Sequence, residues 1–210
     1  MKPVAFEYRA VATLEEAALS AANPEAGGKF ISGGQSLGPM LNLRLARPKQ
    51  LIDLSKAADL TTIVRNGDWI RIGAAVTHAR IEDGEGPDGL PSILPYVARG
   101  IAYRAVRNRG TVGGSLAHAD PAADWITTMT VLGARVEAVS SDKRKRMKPR
   151  QIDMADFMLG GFRTTLGADE LIAAVHVPVW NGEECWGYYK ICRKVGEFAD
   201  AIGAVVVDPP

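Results

Sequence analysis

Where the glycines fall restricts this chain more than any other feature. There are 22 in 210 residues, about one in ten against a usual ~7%. They pair at Gly27-Gly28, Gly33-Gly34, Gly113-Gly114 and Gly160-Gly161. Such pairs mark backbone that takes positive φ or lies close to another group. Two of the doublets carry hydroxyl neighbours: Phe30-Ile31-Ser32-Gly33-Gly34-Gln35-Ser36-Leu37 and Arg109-Gly110-Thr111-Val112-Gly113-Gly114-Ser115. Each lies at the end of an apolar segment. A turn of this kind aims successive backbone N–H groups at one point and forms an anion-binding nest. Two nests would hold the two phosphates of a dinucleotide without Lys or Arg. Two tight turns with capping residues would give the same pattern, and on the residues alone both readings stay open. Beyond the second segment, Asp120 and Asp124 offer carboxylates to sugar or ribityl hydroxyls.

The remaining composition sets bounds. A chain of this length buries about 70% of its extended surface without disulfides. Lys+Arg number 25 and Asp+Glu 24, a balance that argues against a general nucleic-acid binder. No run approaches the ~18 apolar residues of a membrane helix, and Met1 to Glu7 lacks a signal core. The expected compartment is the cytosol. Cys185 and Cys192 match no zinc or iron–sulfur spacing and read as ordinary buried or half-buried thiols. His78, His118 and His176 form no metal-ligand pair.

Helices are expected from Thr13 to Ala22, with a Thr13/Glu16 capping box and a stop at Asn23-Pro24, and starting at Thr77. A longer helix is expected over Ile93 to Ala105. Another is expected from an Asp120 cap with Pro121 at its first position. Strands are expected at Lys29–Ser32, Leu51–Leu54, Arg135–Val139, Leu171–Val179 and Trp186–Ile191. Thr61–Val64 and Trp69–Ile72 should pair through Asn66-Gly67. Met40 to Leu45 alternates apolar residues with Asn and Arg. Ser141 to Arg150, holding Lys143, Arg144, Lys145, Arg146, Lys148 and Arg150, reads as a basic loop between strands. The elements mix without regular alternation, which favours α+β.

Two motifs are decoys. Gly84 to Gly89 matches G-x-G-x-x-G, but Pro87 and Pro91 interrupt it, and Glu85 and Asp88 would repel a pyrophosphate. Gly34-Gln35-Ser36-Leu37-Gly38 matches the G-x-S-x-G elbow of serine hydrolases. Only one clear strand precedes it, and Gly38-Pro39 is a poor helix start. A serine hydrolase using Ser36 is the alternative enzyme class.

Residues 29–37 with Met40 to Pro48 (MLNLRLARP), and Val106 to Asp124 (VRNRGTVGGSLAHADPAAD), resemble the two FAD-binding segments of molybdenum hydroxylase flavoprotein subunits. The chain is similar to the medium subunit of the aerobic carbon monoxide dehydrogenase and xanthine dehydrogenase family. Supporting segments are Ile72-Gly73-Ala74 with Thr77-His78, Gly161 to Thr164, and Asp169 to Ile172. The resemblance implies an α+β fold: a two-part FAD-binding domain of the vanillyl-alcohol oxidase type over residues 1–178, with parts at about 1–55 and 56–178. A small α/β domain should begin at 179–210, where Phe198-Ala199 matches the family's D-F-A stretch. The chain stops at Asp208-Pro209-Pro210, so most of that domain is expected to be missing.

The resemblance also implies roles. Ile31, Ser32, Gly33, Gly34, Gln35, Ser36 and Leu37, with Thr111, Gly113, Gly114 and Ser115, would wrap the FAD pyrophosphate and ribityl chain. Asp120 and Asp124 match positions near the same groups, Ile172 an apolar residue over the isoalloxazine, and Lys190 a lysine near the ring. FAD would take electrons from a [2Fe–2S] small subunit and pass them to NAD, a quinone or another carrier. A molybdopterin large subunit would hydroxylate the substrate, within a dimer of heterotrimers. No catalytic or metal-binding residue is implied in this chain. A flavin-free remnant that only packs against partners is the third reading. The basic run departs from the family, where a shorter loop is usual.

Overall fold

The computed structural model describes residues 2–22, 27–142, 144 and 146–207. Lys143 and Lys145 of the basic run, the expected helix stop at Asn23-Pro24, and Asp208-Pro209-Pro210 lie outside those residues.

In the first part, the chain runs β1 (Glu7–Ala10), α1 (Leu14–Ala21), β2 (Gly28–Ile31), α2 (Leu37–Asn42) and β3 (Gln50–Asp53). Next come β4 (Ile63–Asn66), β5 (Trp69–Gly73), α3 (His78–Glu82), α4 (Ile93–Gly100), α5 (Arg104–Arg107), α6 (Val112–His118) and α7 (Asp124–Val131). Then follow β6 (Arg135–Ser141), β7 (Met147–Asp153), α8 (Met154–Phe157), β8 (Met158–Gly160), β9 (Arg163–Thr164) and β10 (Leu171–Pro178). A final hairpin joins β11 (Cys185–Ile191) to β12 (Ala201–Val207).

Two sheets organise the molecule. A parallel three-stranded sheet has the order β1-β3-β2, and an antiparallel five-stranded sheet has the order β4-β5-β10-β6-β7. The larger sheet is buried on both faces at its centre, so β10 reads as a continuous apolar run rather than an alternation. One face packs Ile70, Ile72, Val136 and Val175 against Leu94, Leu116, Trp125 and Met129 of the helices. The other packs Val139, Leu171 and Ala173 against Val11, Ala17, Ala18 and Ile52 of the first part. The fold is α+β, as expected.

Local chemistry explains the ends of the elements. Thr13 Oγ1 accepts from Glu16 N–H, and Glu16 Oε2 accepts from Ala12 N–H, one residue before the usual capping-box partner. Thr77 caps α3 through Arg80 N–H.

Several sequence expectations need correction. The helix from Ile93 breaks after Gly100 because Ala102 takes φ +44 and Arg107 donates to the carbonyls of Ile101 and Ala102. Asp120 does not cap α7. It accepts Ala122 N–H in a turn, and the helix starts at Asp124. Met40 belongs to helix α2, which Gly38-Pro39 opens after all, because a first-turn proline lacks only an N–H that has no helical partner. Met147 to Arg150 of the basic stretch lie in strand β7. Leu171–Pro178 and Cys185–Ile191 are strands, as expected, and belong to different sheets. Cys185 is exposed rather than buried.

Candidate functional site: a cavity between the two glycine segments

A cavity of about 710 Å³ is walled by the loop after β2, the start of α6, the turn before α7, β10 and the final hairpin. Its size falls within the roughly 300–1,000 Å³ of small-molecule sites. Every site residue singled out in the sequence lines it: residues 31–37, Thr111, Gly113, Gly114, Ser115, Asp120, Asp124, Ile172 and Lys190.

The two glycine segments do different work. In the first, Gly34 takes φ +70, and the backbone turns so that the N–H groups of Gly33, Gly34, Gln35 and Ser36 find no acceptor among the described residues. Unpaired donors of this kind call for a ligand or water. The second segment is not a turn but the beginning of helix α6, with Thr111 as its cap. Its amides are already bonded: Val112 to the Val76 carbonyl at 3.0 Å, Gly113 to Ala74 at 2.9 Å, Gly114 to Thr111 Oγ1 at 3.2 Å and Ser115 to the Thr111 carbonyl at 3.0 Å. The expected second nest is therefore absent.

Its glycines serve packing instead. A Cβ on Gly113 would stand 2.4 Å from the Ala74 Cβ and 2.7 Å from its Cα. The segments meet directly, since Thr111 Oγ1 donates to Ser32 Oγ at 3.1 Å.

Across the cavity, Asp124 is a buried carboxylate. Both its oxygens lie 3.0 Å from Lys190 Nζ, and Oδ1 accepts from the Tyr188 hydroxyl at 2.7 Å. The pair is enclosed, with side-chain exposures of 10% for Lys190 and 5% for Asp124. Burial, and then the Asp124 carboxylate, push the Tyr188 hydroxyl well above the usual tyrosine range. Asp120, by contrast, already accepts a backbone N–H. Ile172 presents an apolar wall at the β-bulge between β10 and β6. On the rim, Glu170 accepts two hydrogen bonds from Arg150, which hold its carboxyl below the usual range.

One lining residue went unrecognised as a site residue. His78 is buried, and its Nδ1 accepts a hydrogen bond from Trp125 Nε1 at 3.0 Å. The partners are far apart in sequence, and neither residue carries a local signal.

The elbow reading has no supporting geometry. Ser36 lies at φ −99, ψ −50, ordinary helical backbone rather than a strained elbow. Among the described residues no histidine bonds it: His176 is held by Glu137 at 2.8 Å, and His118 packs on Phe162 with ring centroids 5.3 Å apart.

Residues 4–180 match the family described as the FAD binding domain in molybdopterin dehydrogenase. The chain belongs to that family. It is 37% identical to the nicotine 6-hydroxylase medium subunit of Paenarthrobacter nicotinovorans, over 99% of this chain and 70% of that one. Carbon monoxide dehydrogenase of Hydrogenophaga pseudoflava superposes with a TM-score of 0.92 at 31% identity, covering 100% of this chain and 71% of that one. Quinoline 2-oxidoreductase of Pseudomonas putida 86 gives 0.88 at 38% identity, covering 97% and 69%. Within this FAD-binding family the chain is an oxidoreductase subunit, and its own cofactor is FAD. The unpaired donors of the first glycine loop suit that cofactor, which carries two phosphates rich in acceptor oxygens. No helix among the described residues is long and apolar enough to cross a membrane.

Proposed function

We propose that the chain is the electron-transfer flavoprotein subunit of a molybdenum hydroxylase complex. It relays electrons from the [2Fe–2S] clusters of a small subunit, through FAD, to a terminal acceptor such as NAD, a quinone or another carrier. A molybdopterin subunit performs the substrate chemistry, and the assembly is a cytoplasmic dimer of heterotrimers. Residues 1–178 form the FAD-binding domain, and 179–210 begin a small α/β C-terminal domain.

The observation that carries this reading is the run of unbonded amides at Gly33 to Ser36 in a cavity that also holds the Asp124–Lys190 pair. The amides of residues 33–36 hold the pyrophosphate. The hydroxyls of Ser36 and Ser115 add donors. Thr111 and Ser32 keep the two segments in register. Gln35 and Leu37 continue the first wall, while Gly113 and Gly114 let the second approach. Asp120 and Asp124 face the ribityl side. Ile31 and Ile172 supply apolar walls and keep water off the ring, and Lys190, paired with Asp124, lies beside it. FAD would supply a carrier that takes electrons singly from the clusters and can release them as a pair to an acceptor such as NAD.

The test is titration of the purified protein with FAD, followed by flavin absorbance and fluorescence, and then co-purification with the [2Fe–2S] and molybdopterin subunits. A yellow protein that releases FAD on denaturation and joins both subunits supports the reading. A colourless protein that fails to take up added FAD overturns it.

A further inference from the structure

We propose that His78 is a hydrogen-bond donor to the bound FAD, held by Trp125 in the one tautomer able to donate into the cavity. The inference rests on the FAD reading above and adds a residue to it.

The tautomer follows from the chemistry of the pair. An indole N–H can only donate, so His78 Nδ1, 3.0 Å from Trp125 Nε1, must present its lone pair. The single ring proton of the neutral imidazole then sits on Nε2. A second proton on Nδ1 would break the bond to Trp125. Burial, reinforced by the Arg107 guanidinium, agrees with this and lowers the His78 pKa to about 4.

Nε2 has no hydrogen-bond partner among the described residues, although the residue is only 6% exposed and lines the cavity. Nε2 is not sealed off but opens on the cavity, where a ligand oxygen or nitrogen would accept its proton. The ring is also held rigidly. His78 N–H donates to the Gly110 carbonyl at 2.9 Å, and a Cβ on Gly110 would stand 2.9 Å from His78 Nε2. Glycine at 110 thus leaves the space that Nε2 occupies. Gly110 in turn touches Gly33, at the start of the loop of unpaired amides.

The experiment titrates FAD into wild-type protein, His78→Leu and His78→Gln, with circular dichroism to confirm folding. In the wild type, ¹⁵N-histidine NMR follows the Nε2–H resonance with and without FAD. Expected are about a tenfold or greater loss of affinity in His78→Leu, recovery to within about threefold in His78→Gln, whose amide carries a donor at similar reach, and a shift of the Nε2–H resonance on saturation. Equal affinity of wild type and His78→Leu would overturn the proposal. So would an unmoved Nε2–H resonance in FAD-saturated wild type, a readout that stands even if the leucine variant fails to fold. A wild type that binds no FAD refutes the functional reading itself, which is a separate result.

Discussion

Gly33 and Gly110 meet backbone to backbone: a Cβ on Gly33 would stand 2.8 Å from the Gly110 Cα and 2.0 Å from the Arg109 carbonyl oxygen. This contact joins the two parts of the molecule at the floor of the cavity. Part of the glycine content therefore builds the walls, and only part of it leaves donors for a ligand.

Substitution separates the two uses. Gly33→Ala should cost several kcal/mol, on the order of 2–4, because both neighbours are backbone and cannot swing aside. Gly38→Ala, in helix α2 with open space around it, should be neutral or stabilising by up to about 1 kcal/mol. Urea denaturation of the two variants checks the contrast. Comparable midpoints would refute the packing account.

Thr111 ties two groups together: it caps α6 through Gly114 N–H and donates to Ser32 Oγ. Thr111→Val keeps the shape and loses both bonds. The expected cost is roughly 1–2 kcal/mol, with a further loss of FAD affinity as the first loop drifts from the second. Thermal melts and FAD titration read the two effects separately. A variant with wild-type values in both would show the link to be idle.

Asp124→Asn leaves Lys190 enclosed without its counter-charge. A loss of about 3–5 kcal/mol is expected, centred on the β11–β12 hairpin. The Tyr188 hydroxyl reports the same change. Its folded pKa is raised, so its contribution is complete below the unfolded value near 10 and is lost as the pH climbs beyond it. Ultraviolet titration should find Tyr188 silent until the wild type unfolds in alkali, and ionising earlier in Asp124→Asn.

His78 makes stability depend on acid. Its folded pKa is lowered to about 4 from 6.5, so between those values the unfolded chain binds a proton that the folded chain refuses. Stability is complete above pH 6.5 and falls as the pH drops toward 4, by on the order of 3 kcal/mol. Below about pH 4.5 the carboxylates held low by their partners add to the decline: Glu82 by Arg107, and Glu137 by His176 and Arg71. In His78→Leu the slope between pH 6.5 and 5 should flatten. Melting temperatures across that range give the answer.

Much of the local framework was legible in the sequence. The Asn66-Gly67 hairpin, the Thr13 and Thr77 caps and the strand leading into Gly33 all rest on neighbouring residues. The gathering of the glycine segments around one cavity does not, and there the family resemblance made the assignment.

What escaped depended on distant partners. Strand β1 has no alternation to read, since its residues are all exposed and it is held by parallel pairing with β3. The break after Gly100 requires Arg107 to reach back to two carbonyls. Helix α6 looked like a turn because Gly113-Gly114 is poor helical sequence; its stability comes from the Thr111 cap and from packing against Ala74. The His78–Trp125 bond spans two elements that no local pattern relates.

The difference between the glycine segments also writes a signature into amide hydrogen exchange. The amides of Val112 to Ser115 are already tied up in the fold and should exchange slowly whether or not anything is bound. Those of Gly33 to Ser36 have no such protection and should exchange at rates close to those of an open chain. A ligand seated on the loop would silence that short stretch while leaving the helix beside it unchanged. Occupancy of the cavity would then be countable, amide by amide, in a protein whose secondary structure does not move.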